Sequence, residues 1–150
     1  MKATTLNKYK NKSLPALRKR AKHYFNQYIR LRDTDDYGFG TCISSGQRLK
    51  YGTENCQAGH YFSGGQYPVL EFNEDNVNLQ GKSDNYFKSG NQLEYRRRLI
   101  DKIGEERVIE LELMAARSKR THTKRDKFFF IEVIETYKEK CKELKKDKMF

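Results

Sequence analysis

The chain has no tryptophan, two prolines and three cysteines in 150 residues. Cys42, Cys56 and Cys141 are odd in number and far apart, which argues against a disulfide framework. No Cys-x-x-Cys pair occurs, so a four-cysteine zinc site cannot form. No apolar run approaches the length needed to span a membrane. The first residues, Met1-Lys-Ala-Thr-Thr-Leu-Asn-Lys8, lack the apolar core of a signal peptide. These absences predict a cytoplasmic protein. The length predicts one domain, residues 1–150, with one modest core and helical extensions.

Positive charge is what the chain has in excess. Lysine and arginine total 31 against 20 acids, a net charge of +11. Such an excess is the electrostatic footprint of a nucleic-acid binder. A ribosomal or merely soluble basic protein would carry the same signature, so charge alone does not choose between them.

Hydrophobic spacing predicts an α+β chain. Residues 1–12 are polar and basic and read as a flexible N-terminus. Ser13 can cap a helix over 13–33 with Pro15 in its first turn, and Leu14, Leu17, Ala21, Tyr24, Tyr28 and Leu31 recur on one face. The other face carries Arg18, Lys19, Arg20, Lys22 and Arg30, a solvated basic surface with phosphate contact as an addition. Thr41–Ile43 and Arg48–Tyr51 read as short strands around a Ser44-Ser45-Gly46 turn. Gln57–Phe62 and Pro68–Phe72 read as the next extended segments, with Ser63-Gly64-Gly65-Gln66 between them. The cluster Asn73-Glu-Asp-Asn76 then leads to a short helix near Ser83–Lys88. Asn91 and Glu94 have the spacing of a capping box, and Gly104 stops the helix that follows. A second helix turns Val108, Leu111, Met114 and Ala115 inward. Ser118–Thr123 is a basic linker, and Thr123 can cap a last helix carrying Phe130, Ile134, Tyr137, Cys141 and Leu144.

One constellation carries chemistry. His60 ends a predicted strand, Asn76 lies in the following loop, and Asn85 sits on the short helix after it. This is the order of parts in an HNH, or ββα-metal, nuclease core. Phosphodiester cleavage needs a base to activate water, a cation to offset charge, and a scaffold that holds the phosphate in line. An imidazole titrates near neutrality, which suits a base. His23 and His122 lie in the first helix and the basic linker and lack this setting.

The segments Ala58-Gly-His-Tyr61, Phe72-Asn-Glu-Asp-Asn-Val77, Ser89-Gly-Asn91, Tyr95-Arg96 and Ile103-Gly-Glu-Glu-Arg107 resemble the NinG (Rap) recombination proteins of lambdoid phages. Tyr28-Ile-Arg-Leu-Arg-Asp33 matches as well, so the resemblance covers roughly residues 20–140. It implies a ββα-metal (HNH-like) core over 41–91, an N-terminal helix, a helical extension over 92–146, and cleavage of branched DNA such as Holliday junctions. By position, His60 would be the general base and Asn76 would brace its loop. Asn85 would offer its amide oxygen to Mg²⁺ or Mn²⁺, with Asp84 a further metal ligand. Lys88 and Asn91 would lie near the phosphate. Arg96, Arg97, Arg98, Lys119, Arg120, Lys124 and Arg125 are the candidate backbone contacts.

Two departures bear on this. The zinc pairs of related proteins read here as Cys42-Ile-Ser-Ser45 and Gly81-Lys-Ser-Asp84, which implies that the structural zinc is lost and that packing or hydrogen bonds replace it. Gly59 stands where many HNH enzymes have an acidic metal ligand; Glu74, Asp75, Asp84 and Cys56 are the candidates to replace it. A two-fold junction would suit a homodimer, although nothing in the sequence shows dimerisation. The competing readings are a degenerate HNH-shaped module that only binds branched DNA and an RNA-associated basic protein. The second leaves the His-Asn-Asn spacing unexplained.

Overall fold

Ser13 opens helix α2 (Leu14–Arg32) by accepting from the Ala16 amide at 3.3 Å. Leu17, Ala21, Phe25 and Ile29 repeat every four residues along it and are fully buried. Helix α6 (Lys127–Lys145) answers with Phe130, Ile134, Tyr137 and Cys141. The first turns of the two helices meet, with Leu14 and Arg18 beside Phe130. Tyr24 and Gln27 lie beside Cys141 and Lys142 further along, so the helices run in the same direction. Each large side chain in this seam contributes about 1.5–3 kcal/mol. That burial, rather than the polar average of the sequence, holds the pair. Leu14, expected on the apolar face, is exposed, because it lines an open groove beside Phe130 rather than the packed seam.

The computed structural model describes residues 1–86, 91–119 and 124–150. The stretch 1–12 includes helix α1 (Ala3–Asn7), and Tyr9 is buried among Leu17, Phe130 and Ile131. Its hydroxyl donates to Glu135 Oε1 at 3.1 Å.

Two short antiparallel hairpins lie between the long helices. Strand β1 (Phe39–Thr41) pairs with β2 (Arg48–Lys50). Strand β3 (Cys56–His60) pairs with β4 (Val77–Gly81), in a register running from Cys56↔Gly81 to His60↔Val77. Helix α3 (Lys82–Tyr86) follows β4 without a loop. The chain order is therefore strand, strand, helix, with His60 ending the first strand and Asn85 on the helix.

The sequence predicted an extended segment at Pro68–Phe72, and the structure corrects this. Pro68–Leu70 forms a 3₁₀ turn inside the long β3–β4 connection. Proline fixes φ in the helical range and has no N–H for a ladder. The strand is instead Val77–Gly81, which sequence reading passed over. It is buried on both faces, and its polar Asn78 and Gln80 face protein rather than water, so no polar–apolar alternation marks it.

Helices α4 (Gln92–Ile103) and α5 (Glu105–Ser118) are separated by Gly104 at φ 93°. Tyr95, Leu99, Val108, Leu111 and Ala115 join Ile43, Tyr61 and Leu70 in one core. The expected capping box is absent. Asn91 adopts φ 49° and donates to Asp84 Oδ1 at 3.1 Å, while Glu94 pairs with Arg97. Asp126 caps α6, accepting from the Phe129 amide at 2.9 Å, and Thr123 lies outside the described residues. Among the described residues, no helix is long and apolar enough to cross a membrane.

Candidate active site

The β3–β4 connection brings His60 and Asn76 together. His60 Nε2 lies 2.9 Å from the backbone oxygen of Glu71. A carbonyl only accepts, so Nε2 carries the hydrogen and donates, and Nδ1 of the neutral ring is left as an acceptor. Burial pushes the His60 pKa below its ordinary value. The Glu71 carbonyl and carboxylate oppose the shift, and the charge of Lys22 adds to it. The ring is therefore neutral near pH 7, with its basic nitrogen available.

Asn76 is fully buried and makes three side-chain bonds to backbone. Its Oδ1 accepts from the Phe62 amide at 2.8 Å, and its Nδ2 donates to the Phe62 and Leu70 carbonyls, both at 2.9 Å. These bonds tie the start of the loop after His60 to the residue just before Glu71. One amide side chain thus holds both ends of the loop from Phe62 to Leu70, next to the His60 hydrogen-bond acceptor.

Glu71 is buried, and no sequence signal marked it. Its carboxylate accepts from Arg18 at 3.2 and 2.7 Å and from Arg125 at 2.6 Å. Burial raises its pKa, but the two guanidiniums outweigh that and hold it below the usual carboxylate range. Gly64 lies against this carboxylate; a β-carbon there would stand 2.6 Å from Oε2.

A second buried network reaches Gly59 from behind. The Tyr95 hydroxyl donates to the Gly59 carbonyl at 2.7 Å and accepts from Asn78 Nδ2 at 3.2 Å. Asn78 Oδ1 in turn accepts from Lys102 at 2.6 Å and Arg32 at 3.2 Å. The sequence marked Tyr95 only through the Tyr95-Arg96 resemblance, and not this network, because its partners are 17 and 36 residues away. Tyr95→Phe removes the hydroxyl donor to the Gly59 carbonyl and one of the two acceptors of the Asn78 amide nitrogen, at a cost of about 1–3 kcal/mol. Urea unfolding measures this; an unchanged midpoint would show that the network contributes nothing.

Asn85 is placed apart from His60. Its Nδ2 donates to Gln57 Oε1 at 3.0 Å, leaving Oδ1 as the oxygen a cation would use. Gln57 precedes His60 by three residues, roughly 10 Å along the strand, and points to the opposite face. One amide oxygen fits a Mg²⁺-type ion, which keeps most of its water shell and takes further oxygens from a substrate phosphate. Among the described residues, no three His, Cys, Asp or Glu side chains are grouped as a metal site.

Asp84 lies in a different cluster. It accepts from Asn91 and from the Cys42 thiol at 3.6 Å. Cys42 Sγ also accepts from the amides of Ser45 at 3.5 Å and Gly81 at 3.3 Å, and lies 3.4 Å from Ser44 Oγ. Burial raises the Cys42 pKa, but these hydrogen bonds lower it further, to a net value below the ordinary thiol. One thiol and one carboxylate, with only backbone N–H from Ser45 and Gly81, do not fit tetrahedral zinc.

The other ligand candidates are occupied. Glu74 accepts from Tyr28, Tyr137 and Lys140, and Asp75 from Arg107. Cys56 packs with Cys42, Leu49 and Leu79.

The expected DNA contacts are spread over several surfaces. Arg96 is held by Glu112 and Arg97 by Glu94. Arg98 reaches the Ser45 carbonyl, and Lys119 lies over the Tyr67 ring. Lys124 is exposed, and Arg125 is half-buried on Glu71. Lys88 and Arg120 lie outside the described residues. Tyr61 is core, stacked on Tyr95. A cleft of about 590 Å³ lies along the far edge of β4, lined by Arg32, Asp33, Asn78 and Lys102 among others, and His60 is not part of its wall.

Comparison with known proteins places the chain. The family model described as Bacteriophage Lambda NinG protein matches residues 2–147. Protein ninG of Enterobacteria phage H19B and that of Escherichia phage lambda are each 40% identical over 94 residues, covering 63% of this chain and 43% of the relative. Protein ninG of Salmonella phage P22 is 38% identical over the same length. The match thus spans less than half the length of these curated relatives. No solved structure matches. With a family model that runs from residue 2 to residue 147, the chain belongs to the NinG family.

Proposed function

We propose that this chain is a metal-dependent DNA endonuclease of phage recombination that acts on branched DNA, including Holliday junctions. The observation that carries the reading is the state of His60. Its Nε2–H is spent on a backbone carbonyl, burial keeps the ring neutral, and Nδ1 is left to take a proton. The strand–strand–helix order of β3, β4 and α3, with Asn85 on the helix, supports this reading, since a ββα nuclease core has its parts in that order.

The reaction is hydrolysis. His60 Nδ1 accepts a proton from water as the water oxygen bonds to phosphorus. The bond from phosphorus to the 3′ oxygen breaks, and that oxygen takes a proton from solvent. The products carry 5′-phosphate and 3′-hydroxyl ends. Asn85 Oδ1 would hold a Mg²⁺ or Mn²⁺, which would supply positive charge to a DNA phosphate, although its Gln57 contact sets it on the other face of β3 from His60. The Cys42 cluster supports the β3–α3 end with hydrogen bonds in place of zinc.

A second reading, an HNH-shaped module that binds branched DNA without cutting it, is favoured by one observation. A β-carbon at Gly59 would stand 2.0 Å from Gln80 Oε1, so the Gln80 side chain fills the space of the missing acid.

Incubation with a labelled four-way junction and a matched duplex, in Mg²⁺, Mn²⁺ or EDTA, separates the two readings. Nicks near the branch in metal but not in EDTA are expected. Tight junction binding with no cut in either metal would establish the binding module.

A further inference from the structure

A block of positive charge lies near His60 and away from the arginines of α4. It lines a groove of about 380 Å³ between the start of α2 and the start of α6. Its walls carry Arg18, Lys19, Lys22 and Arg125, with Leu14, Pro15 and Phe130 as the apolar remainder. No carboxylate is among the lining residues. Glu71 behind the wall engages Arg18 and Arg125 and can offset only one charge. Lys19 and Lys22 are exposed.

Two features connect the groove to His60. Lys22 is close enough for its charge to act on the imidazole. Glu71, whose side chain anchors Arg18 and Arg125, is the residue whose carbonyl holds the His60 ring. The groove and the base thus share one residue. Arg96 and Arg97, by contrast, are each paired with a glutamate of their own.

We propose that this groove is the track for the DNA backbone, with Lys19 and Lys22 contacting successive phosphates that lead to His60. The inference deepens the nuclease reading and rests on it for the identity of the substrate. The track lies on the first turns of two packed helices, so it is preorganised. It reads phosphate charge and not base sequence. Arg18 and Arg125 serve it by shape and field, since Glu71 fixes both guanidiniums in place.

The test is anisotropy of a labelled four-way junction in EDTA, where no cutting can occur, at several salt concentrations. Lys19→Glu/Lys22→Glu is compared with Lys142→Glu/Lys145→Glu, which makes the same charge change on exposed lysines roughly 18 Å or more further along α6. The groove variant is expected to bind at least about tenfold more weakly and to lose about two units of salt slope, while the control changes little. Thermal melting should leave both variants folded, because all four lysines are exposed. Equal losses in the two variants, or an unchanged slope in the groove variant, would overturn the track. A wild type without salt-sensitive junction affinity would overturn it too. A wild type that binds through the groove and never cuts would sink the nuclease reading and leave the track standing.

Discussion

His60→Ala is expected to lower the rate of junction cleavage by roughly 10²–10⁴-fold while leaving DNA affinity within a factor of about two, the range a positioned general base contributes. Among the described residues, the ring's hydrogen bond is to the Glu71 carbonyl. That carbonyl belongs to a loop already held by Asn76 and by the salt bridges of Glu71, so its position survives loss of the imidazole. The expected loss is therefore in the chemical step. Single-turnover rates with enzyme in excess measure it directly, with anisotropy in EDTA as the control. A variant that lost binding in parallel with rate would show that His60 positions DNA rather than activating water.

Asn76→Ala is the substitution with the largest expected effect on the fold. It leaves the Phe62 amide and carbonyl without their side-chain partner in a buried site and takes one of two donors from the Leu70 carbonyl, which keeps the Asn73 amide. Each stranded group costs about 1–3 kcal/mol, and relaxation of the loop recovers part of the total, so a loss of about 3 kcal/mol is expected. Asn76→Asp tests the mechanism further, since it keeps the acceptor for Phe62 but sets a carboxylate against two carbonyl oxygens. It should destabilise at least as much as alanine. Urea unfolding of both variants decides the matter. A loss below about 1 kcal/mol in each would mean that water or backbone movement replaces the amide and that the brace is not structural.

Much of this architecture was legible in residue spacing. The four-and-three rhythm of Phe130, Ile134, Tyr137 and Cys141 marked α6, and Ser13 marked the start of α2, because both signals are local. The order of His60, Asn76 and Asn85 was readable along the chain, and the fold brings His60 and Asn76 together while Asn85 lies apart on Gln57. Strand β4 was not, since Asn78 and Gln80 are polar in sequence and buried in the fold, each answered by partners far away. Glu71 escaped for the same reason. Its role rests on a carbonyl 11 residues from His60 and on two arginines more than 50 residues away in sequence. Asn91 misled as a cap because its left-handed backbone turns the side chain to Asp84 instead. The arginine triplet at 96–98 drew attention as a basic run, yet two of the three are held by nearby glutamates. The exposed charge beside His60 comes from a helix some 40 residues earlier in the chain.

The pH dependence of single-turnover junction cleavage, for wild type beside His60→Ala, tests the central claim most directly. A base works in its neutral form, and burial depresses the His60 pKa below 6.5. The wild-type rate should therefore climb with pH with its midpoint below the ordinary imidazole value, and the alanine variant should lie far beneath it. The sign is the same for stability: the unfolded chain binds the extra proton between the two pKa values, so stability from this group is complete above 6.5 and falls as pH drops towards the folded value. Wild-type and alanine curves that superimpose across this range would contradict the assignment of His60 as the base.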